Sequence, residues 1–122
     1  MASRDRIAFS GIFSLRDDIT ESEFLPTLHA FYRHLIERGF ATSYRVMRRE
    51  SLEGFGKSLP AFSYRGELRY ATAEREAAAY AYVKEDKEPV RSLHRAMNSK
   101  VKRDADFFLE RCIARHSEDA GS

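Results

Sequence analysis

The sequence predicts a single α+β domain, in which an antiparallel sheet is covered by helices on one face. Three observations lead to this. Residues 62–70 alternate between apolar and charged side chains, which is typical of a strand with one covered face. A segment with helical spacing and a capping box precedes them. With 122 residues and 43% hydrophobic residues, the chain can bury one core without a disulfide or a metal.

The first strand is predicted at residues 7–15, where bulky apolar side chains alternate. Thr20 and Glu23 then form a capping-box pattern at the start of a helix, and Gly39 supplies its C-terminal stop. Pro26 conflicts with a helix capped at Thr20, so we expect a distorted first turn or a later start. The apolar positions at helical spacing are Phe24, Leu28, Phe31 and Leu35.

Two strands follow, at residues 42–49 and 62–70, joined by a loop that contains glycine and serine. Thr72 is the predicted N-cap of an alanine-rich helix over residues 73–85. Pro89 can open a second, short helix that runs to about residue 100.

Residues 107–114 are apolar and aromatic, and they predict a buried fourth strand. The order β-α-β-β-α(α)-β is that of a ferredoxin-like βαββαβ sheet. Both helical regions should cover the same sheet face, because each carries one apolar stripe. We expect one domain over residues 1–122 with an ordered core at about 6–116. The uncovered face should show Ser10, Arg45, Ser63, Arg65 and Glu67.

Composition narrows the classes of function. The 21 basic and 19 acidic residues give a net charge of +2, which argues against a dedicated nucleic-acid binder. The aromatic residues alternate onto the face assigned to the helices, so base stacking on the sheet is not expected. Cys112, the single cysteine, allows no internal disulfide and is expected to be a buried, inert thiol. The polar N-terminus and the lack of long apolar stretches predict a cytoplasmic protein without membrane association.

One stretch resembles a known pattern. Residues 90–101 read Val-Arg-Ser-Leu-His-Arg-Ala-Met-Asn-Ser-Lys-Val, similar to the V-x-x-L-H-x-x-V-N-S-K-V stretch of a bacterial family of unknown function. The Arg48-Arg49 pair and the segment from Leu59 to Phe62 fit the same family, while Met97 replaces its usual β-branched residue. The resemblance covers nearly the whole chain and implies a ferredoxin-like fold of the dimeric α+β-barrel kind. It implies no activity.

Residues 51–58 end in Gly-Lys-Ser, like a loop that binds nucleotide phosphates. Ser51 replaces the first glycine of that motif, and Pro60 with a strand follows where a helix is required, so a nucleotide site is not expected. Lys57 with Arg48 and Arg49 could still hold an anion on a glycine-containing loop. The alternative is a mobile basic hairpin tip.

His94 and Asn98 are four residues apart and should share one helix face. Together with Lys100 they could line a pocket in which His94 acts as acid, base or hydrogen-bond donor. Alternatively, Asn98 ends the helix in a left-handed conformation. His34 and Glu37 could share a metal, but no second pair completes a site, so neither metal nor cofactor is expected.

A charged group is predicted on the uncovered sheet face. These charges would be solvated, would pair across a dimer interface, or would surround an anionic ligand, because burying an unpaired charge is costly. The members of this group are Arg45, Arg65, Glu67, Arg69 and Glu110.

Two hypotheses for the function follow. The first is a homodimeric small-molecule-binding or regulatory module that pairs through its uncovered sheet face and takes an anionic ligand, for which Arg45, Arg48, Arg49, Arg65, Asn98 and Lys100 are the candidate binding residues. The second is a cofactor-independent enzyme, monooxygenase-like or isomerase-like. In that case His94 would be its acid or base, and Arg45 or Arg65 would hold an anionic group.

Overall fold

The computed structural model describes residues 6–50 and 61–114, and it shows an α+β protein with the predicted order of elements. The four strands form one sheet in the order β2-β3-β1-β4, and every neighbouring pair is antiparallel. The ferredoxin-like prediction is therefore confirmed. The elements are β1 (Ile7–Phe13), α1 (Glu21–Glu37), β2 (Ser43–Arg48), β3 (Tyr64–Tyr70), α2 (Ala73–Lys84), α3 (Val90–Asn98) and β4 (Asp106–Arg111).

The register of the sheet points the apolar side chains of the central strands, β1 and β3, toward the helices. Gly11 of β1 lies opposite Gly66 of β3 on one side and opposite Phe107 of β4 on the other. Because side chains alternate along a strand, this register separates an apolar helix-covered face from a charged open face. The buried core between the sheet and the helices includes Ile7, Phe13, Phe24, Leu28, Phe31, Leu35, Leu68, Tyr70, Val90 and Met97.

Helix α1 begins at its predicted cap. The Thr20 hydroxyl accepts a hydrogen bond from the Glu23 amide at 3.2 Å, and the Glu23 carboxylate accepts one from the Thr20 amide at 2.8 Å. The helix also continues through Pro26, so a later start is wrong. The proline removes one main-chain hydrogen bond, but the cap satisfies the first turn and the buried apolar side chains hold the helix on the sheet. Gly39 ends this region with a positive φ of 84°, as predicted.

Helices α2 and α3 are separate, as the sequence predicts. The Thr72 hydroxyl accepts a hydrogen bond from the Arg75 amide at 3.1 Å, which confirms Thr72 as the N-cap of α2. Pro89 precedes the first turn of α3. The left-handed conformation considered for Asn98 is not adopted, because Asn98 is the last helical residue and Ser99 after it is also right-handed. The Asn98 side chain therefore extends from the last residue of α3.

Strand β4 differs from its prediction. All six of its residues are exposed, so the expectation of a buried strand is wrong. The strand lies at the edge of the sheet and pairs only with β1, where the helices do not cover it. Cys112, just beyond it, is exposed as well, which corrects the prediction of a buried thiol. The apolar composition of β4 resembles that of a core strand, but the position of β4 in the sheet decides how far it is buried.

Across residues 6–50 and 61–114, no helix has the length and apolar character needed to cross a membrane.

Candidate functional site

A cavity of about 620 Å³ lies between the helix-covered face of the sheet and the three helices. Its size falls within the usual range for small-molecule sites, roughly 300–1,000 Å³. Most of its wall is aromatic or aliphatic, because it is bounded by the side of each element that faces the core. The wall residues are Phe9, Phe31, Tyr32, Leu35, Leu68, Tyr70, Glu76, Ala79, Tyr80, Val83, Lys84, Asp86, His94, Met97, Asn98 and Phe107.

One wall is a pair of stacked rings. Phe9 of β1 and Phe107 of β4 lie with their ring centroids 5.6 Å apart and their planes only 5° from parallel. Gly11 makes this arrangement possible, because a Cβ atom at that position would lie 2.6 Å from the Phe107 ring. Phe107 is 49% exposed, so this part of the wall reaches solvent. Tyr80 of α2 is also exposed and lies at the rim.

A second part of the wall carries two phenols and a carboxyl group. Burial raises the pKa of Tyr32 to about 12. Burial also raises the pKa of Tyr70, and the nearby Glu76 and Tyr32 raise it further. Burial likewise raises the pKa of the Glu76 carboxyl. Both phenols therefore keep their protons at neutral pH and can donate hydrogen bonds into the cavity.

The sequence did not reveal this polar corner. Tyr32 lies on α1, Tyr70 ends β3 and Glu76 lies in the first turn of α2, so three distant segments build it. One signal was present. The alternation of β3 put the large polar-tipped Tyr70 on the apolar face, where a buried hydroxyl usually meets a partner or a ligand.

His94 and Asn98, which were predicted to share a face of α3, both contribute to the cavity wall. The His94 ring packs against Phe31, with a centroid distance of 5.1 Å. Burial lowers the pKa of His94, and the Asp86 carboxylate partly opposes this shift. At neutral pH the imidazole is therefore mostly uncharged and can accept a proton.

Three other predicted binding residues do not line the cavity, and each of them has a partner. The Lys100 ammonium donates to the Ala96 carbonyl at 2.7 Å. Arg48 donates two hydrogen bonds to the Glu21 carboxylate, at 2.9 and 3.1 Å. Arg49 lies over the Phe62 ring, 4.6 Å from its centroid. The structure thus does not bring these three cations together with His94.

The charges of the open sheet face pair with one another. Arg45 donates to Glu67 at 3.0 Å, and Arg65 bridges Glu67 and Glu110, lying 2.7 Å from the latter. Beneath them the Ser10 hydroxyl, fully buried, donates to Glu110 at 2.5 Å. Burial acts to raise the pKa of Glu67, but the hydrogen bonds from Arg65 and Arg45 outweigh it, so the pKa is lowered. This pairing within the chain was not among the three predicted outcomes.

Other candidate motifs have a plain structural reading or fall outside the described residues. The Gly-Lys-Ser segment and Lys57 lie in residues 51–60, which the structure does not describe. His34 forms a hydrogen bond of 2.7 Å with the Tyr82 hydroxyl, and His29 forms one with Tyr44. In the described part of the chain no three histidine, cysteine, aspartate or glutamate side chains are grouped to hold a metal.

Solved structures share this fold at low sequence identity. A variant of SnoaB, a cofactor-independent oxygenase from Streptomyces nogalater, matches with a TM-score of 0.67 at 11% identity, over 91% of this chain and 96% of that one. The hydroxynitrile lyase of Passiflora edulis matches with a TM-score of 0.64 at 7% identity, over 92% of this chain and 98% of the lyase. A dimeric ferredoxin-like protein of unknown function from Jannaschia sp. matches with a TM-score of 0.62 at 9% identity, over 87% and 98%.

These likenesses establish the fold and leave the reaction open, because one fold supports different chemistries. No curated protein matches the chain. A family model does match, over residues 7–115, which includes every helix and strand found in the described residues. The chain belongs to this family of unknown function, DUF6614.

Proposed function

We propose that this protein binds a small organic molecule in the cavity between its sheet and its helices, and that it does so as a homodimer. The observation that carries the proposal is the cavity itself, about 620 Å³ in volume, with a mainly apolar wall and a few convergent polar groups. This combination is the usual signature of a ligand site. An apolar wall with a few polar groups is sufficient for a binding or regulatory role, which needs no catalytic residue.

The homodimer is proposed to form through the open face of the sheet. Phe108 of β4 points to this face and is 38% exposed. The arginines and glutamates beside it already neutralise one another, so covering them does not leave an unpaired charge. Several solved structures with this fold are described as dimeric, among them the Jannaschia protein.

The cytoplasm remains the proposed compartment. The exposed thiol of Cys112 supports this, because free surface thiols persist best where the surroundings are reducing.

The cavity can be tested with Nile red, an uncharged dye whose fluorescence rises in apolar surroundings. The chain has no tryptophan, so protein emission does not interfere. We expect saturable binding of one dye per chain. Ala79→Phe should weaken it at least tenfold, because Ala79 is buried in the cavity wall and a ring there would fill the space.

The matched control is Ala78→Phe, at an exposed position on the same helix, and it should leave the dye affinity unchanged. Val83→Phe, one turn further along the cavity wall, provides a second blocking variant if the first fails to fold. Equal dye binding by the wild type and both blocking variants would disprove the cavity as the binding site.

A second candidate function is proton transfer by His94, and the half-buried, mostly uncharged imidazole in the cavity wall favours it. A base in that position could remove a proton from a carbon next to a carbonyl group and return it. The test is exchange of the α-hydrogens of 2-tetralone for deuterium in heavy water, followed by NMR.

We expect the wild type to accelerate this exchange and His94→Phe to remove the acceleration while Nile red still binds. Because burial lowers the pKa of His94, the exchange should persist below pH 6.5, the ordinary pKa of histidine, and fall only at more acidic pH. Exchange no faster than in buffer would contradict proton transfer by His94 and leave ligand binding as the proposed function.

A further inference from the structure

We propose that the cavity selects an uncharged aromatic molecule with a hydroxyl or carbonyl group, and that this group is held at Tyr32, Tyr70 and Glu76. The inference rests on the proposed function and gives it a ligand class. It also departs from the anionic ligand predicted from the arginines of the sequence.

The charges around the cavity disfavour an anion. Among the described residues no arginine lines it, and its acidic groups are Glu76 and Asp86. Lys84, its one lysine, lies over the Tyr80 ring, 5.9 Å from the centroid, at the exposed rim. A bound carboxylate or phosphate inside the cavity would therefore meet two carboxyl groups and no guanidinium, so it would lose its hydration without gaining a buried ion pair.

The cavity is also unsuited to a cation. Asp86 is already engaged, because its carboxylate accepts from Arg95 at 3.3 Å and lies 3.7 Å from Arg91. The environment inside stabilises the uncharged forms of its own groups, since burial raises the pKa of Glu76 and lowers that of His94. The same low polarity would oppose a charged ligand.

The shape of the wall favours a flat ring. The parallel pair of Phe9 and Phe107 presents an extended aromatic surface on the sheet side. Phe31 and the His94 ring, 5.1 Å apart, form a second aromatic surface on the helix side. A planar molecule can contact both, by offset stacking on one and by edge contacts with the other.

The polar corner fixes the orientation of that ring. Tyr32 and Tyr70 are 7% and 3% exposed, and their phenols keep their protons at neutral pH. They can donate to a ligand oxygen, and the Glu76 carboxyl can accept from a ligand hydroxyl. A ligand without an oxygen would leave these buried groups without that partner and should therefore bind more weakly.

The experiment compares four naphthalenes that share one ring system and differ in a single substituent. These are 2-naphthol, naphthalene, 2-naphthoate and 2-naphthylmethylammonium, each measured at pH 7 by displacement of Nile red. We expect 2-naphthol to bind at least tenfold more tightly than either charged compound, and more tightly than naphthalene.

Two variants test whether the hydroxyl of 2-naphthol binds at Tyr70. Tyr70→Phe should weaken 2-naphthol at least fivefold and leave naphthalene unchanged, because only the hydroxyl contact is lost. Tyr82→Phe, which removes a phenol outside the cavity wall, should change neither. An affinity for 2-naphthoate or the ammonium compound equal to that for 2-naphthol would overturn the inference but leave the cavity as a binding site. The inference would also be overturned if none of the four compounds displaced the dye. Failure of the proposed function is a different result, because the blocking variants of the Nile red test would then bind the dye as the wild type does.

Discussion

Gly11 shows how one residue shapes the cavity. It lies in the middle of β1, between Gly66 and Phe107, and the missing side chain leaves room for the Phe107 ring to lie across the strand. A Cβ at Gly66 would make only ordinary contacts, 3.6 Å from Phe13 and 3.8 Å from the Tyr32 hydroxyl. The two glycines face the same side of the sheet, yet only Gly11 is required for a close approach.

The pair therefore gives a matched prediction. Gly66→Ala should raise the free energy of unfolding by about 0.5 kcal/mol, because alanine is less costly than glycine in a strand. Gly11→Ala should lower it by about 1 kcal/mol, because Phe107 must swing toward solvent and lose its stacking on Phe9. Urea unfolding measures both.

The same displacement should reach the proposed ligand site. Gly11→Ala should weaken Nile red binding severalfold, since it removes one aromatic wall, whereas Gly66→Ala should not. Equal stability and equal dye affinity in the two variants would show that Phe107 does not depend on the glycine.

Part of the cavity wall could be predicted from the sequence. Spacing alone put His94 and Asn98 on one face of a helix, and that face lies in the cavity wall. It could not locate Tyr32, Tyr70 and Glu76, because their proximity depends on how α1, β3 and α2 pack together. Local patterns report which face is buried and say little about where packing leaves a space.

At the scale of elements, α1 is tied to the sheet at its first turn. The Glu21 carboxylate accepts from Arg48 of β2, and also from the Tyr64 hydroxyl of β3 at 2.9 Å. The hydrogen bonds from Arg48 and Tyr64 lower the pKa of Glu21 from 4.5 to about 2. The contact joins the start of the helix to two strands.

This contact should make stability depend on pH in a defined window. Because the folded pKa of Glu21 lies below the unfolded one, its ionised form stabilises the fold fully above about pH 4.5, and this contribution disappears as the pH falls toward about 2. The Tm of Glu21→Gln should therefore be lower than that of the wild type at pH 7, and the difference should shrink across that window. Thermal unfolding at a series of pH values measures it.

Glu37→Gln is the control on the same helix. It removes a carboxylate from the exposed Glu37–Arg33 pair, and such pairs contribute only about 0.3–0.5 kcal/mol. Its Tm should stay close to that of the wild type at every pH. A constant difference between Glu21→Gln and the wild type from pH 7 to pH 2 would contradict the role given to Arg48 and Tyr64.

The elements themselves were largely predictable, for physical reasons visible in short segments. Capping side chains at Thr20 and Thr72 marked two helix starts, and period-two alternation marked β1 and β3. The failure at β4 has a different origin. Apolar residues there suggested burial, but whether a strand lies at an edge, and whether helices cover it, depends on topology and not on its own composition.

For the whole molecule, the proposed dimer gives a direct prediction. Phe108→Asp places a charge on the open face, where the second copy would bury it, so the dimer should dissociate. Light scattering should give 14.1 kDa for this variant and twice that for the wild type at micromolar concentration.

Leu25→Asp is the matched control, because Leu25 is 37% exposed and Phe108 is 38% exposed, but Leu25 lies on α1. It should remain a dimer. A wild type of single-chain mass would refute the homodimer, and a dimeric Phe108→Asp would move the interface away from this face.

Strand β4 has one more consequence, since its consecutive residues Phe107 and Phe108 point to opposite sides of the sheet. Phe107 borders the cavity and Phe108 lies on the proposed dimer face. One short strand therefore contributes to both the proposed ligand site and the proposed dimer interface. If pairing of the chains shifts β4, it must change the affinity for the ligand. Thermodynamic linkage then requires the ligand to change the dimerisation constant by the same factor.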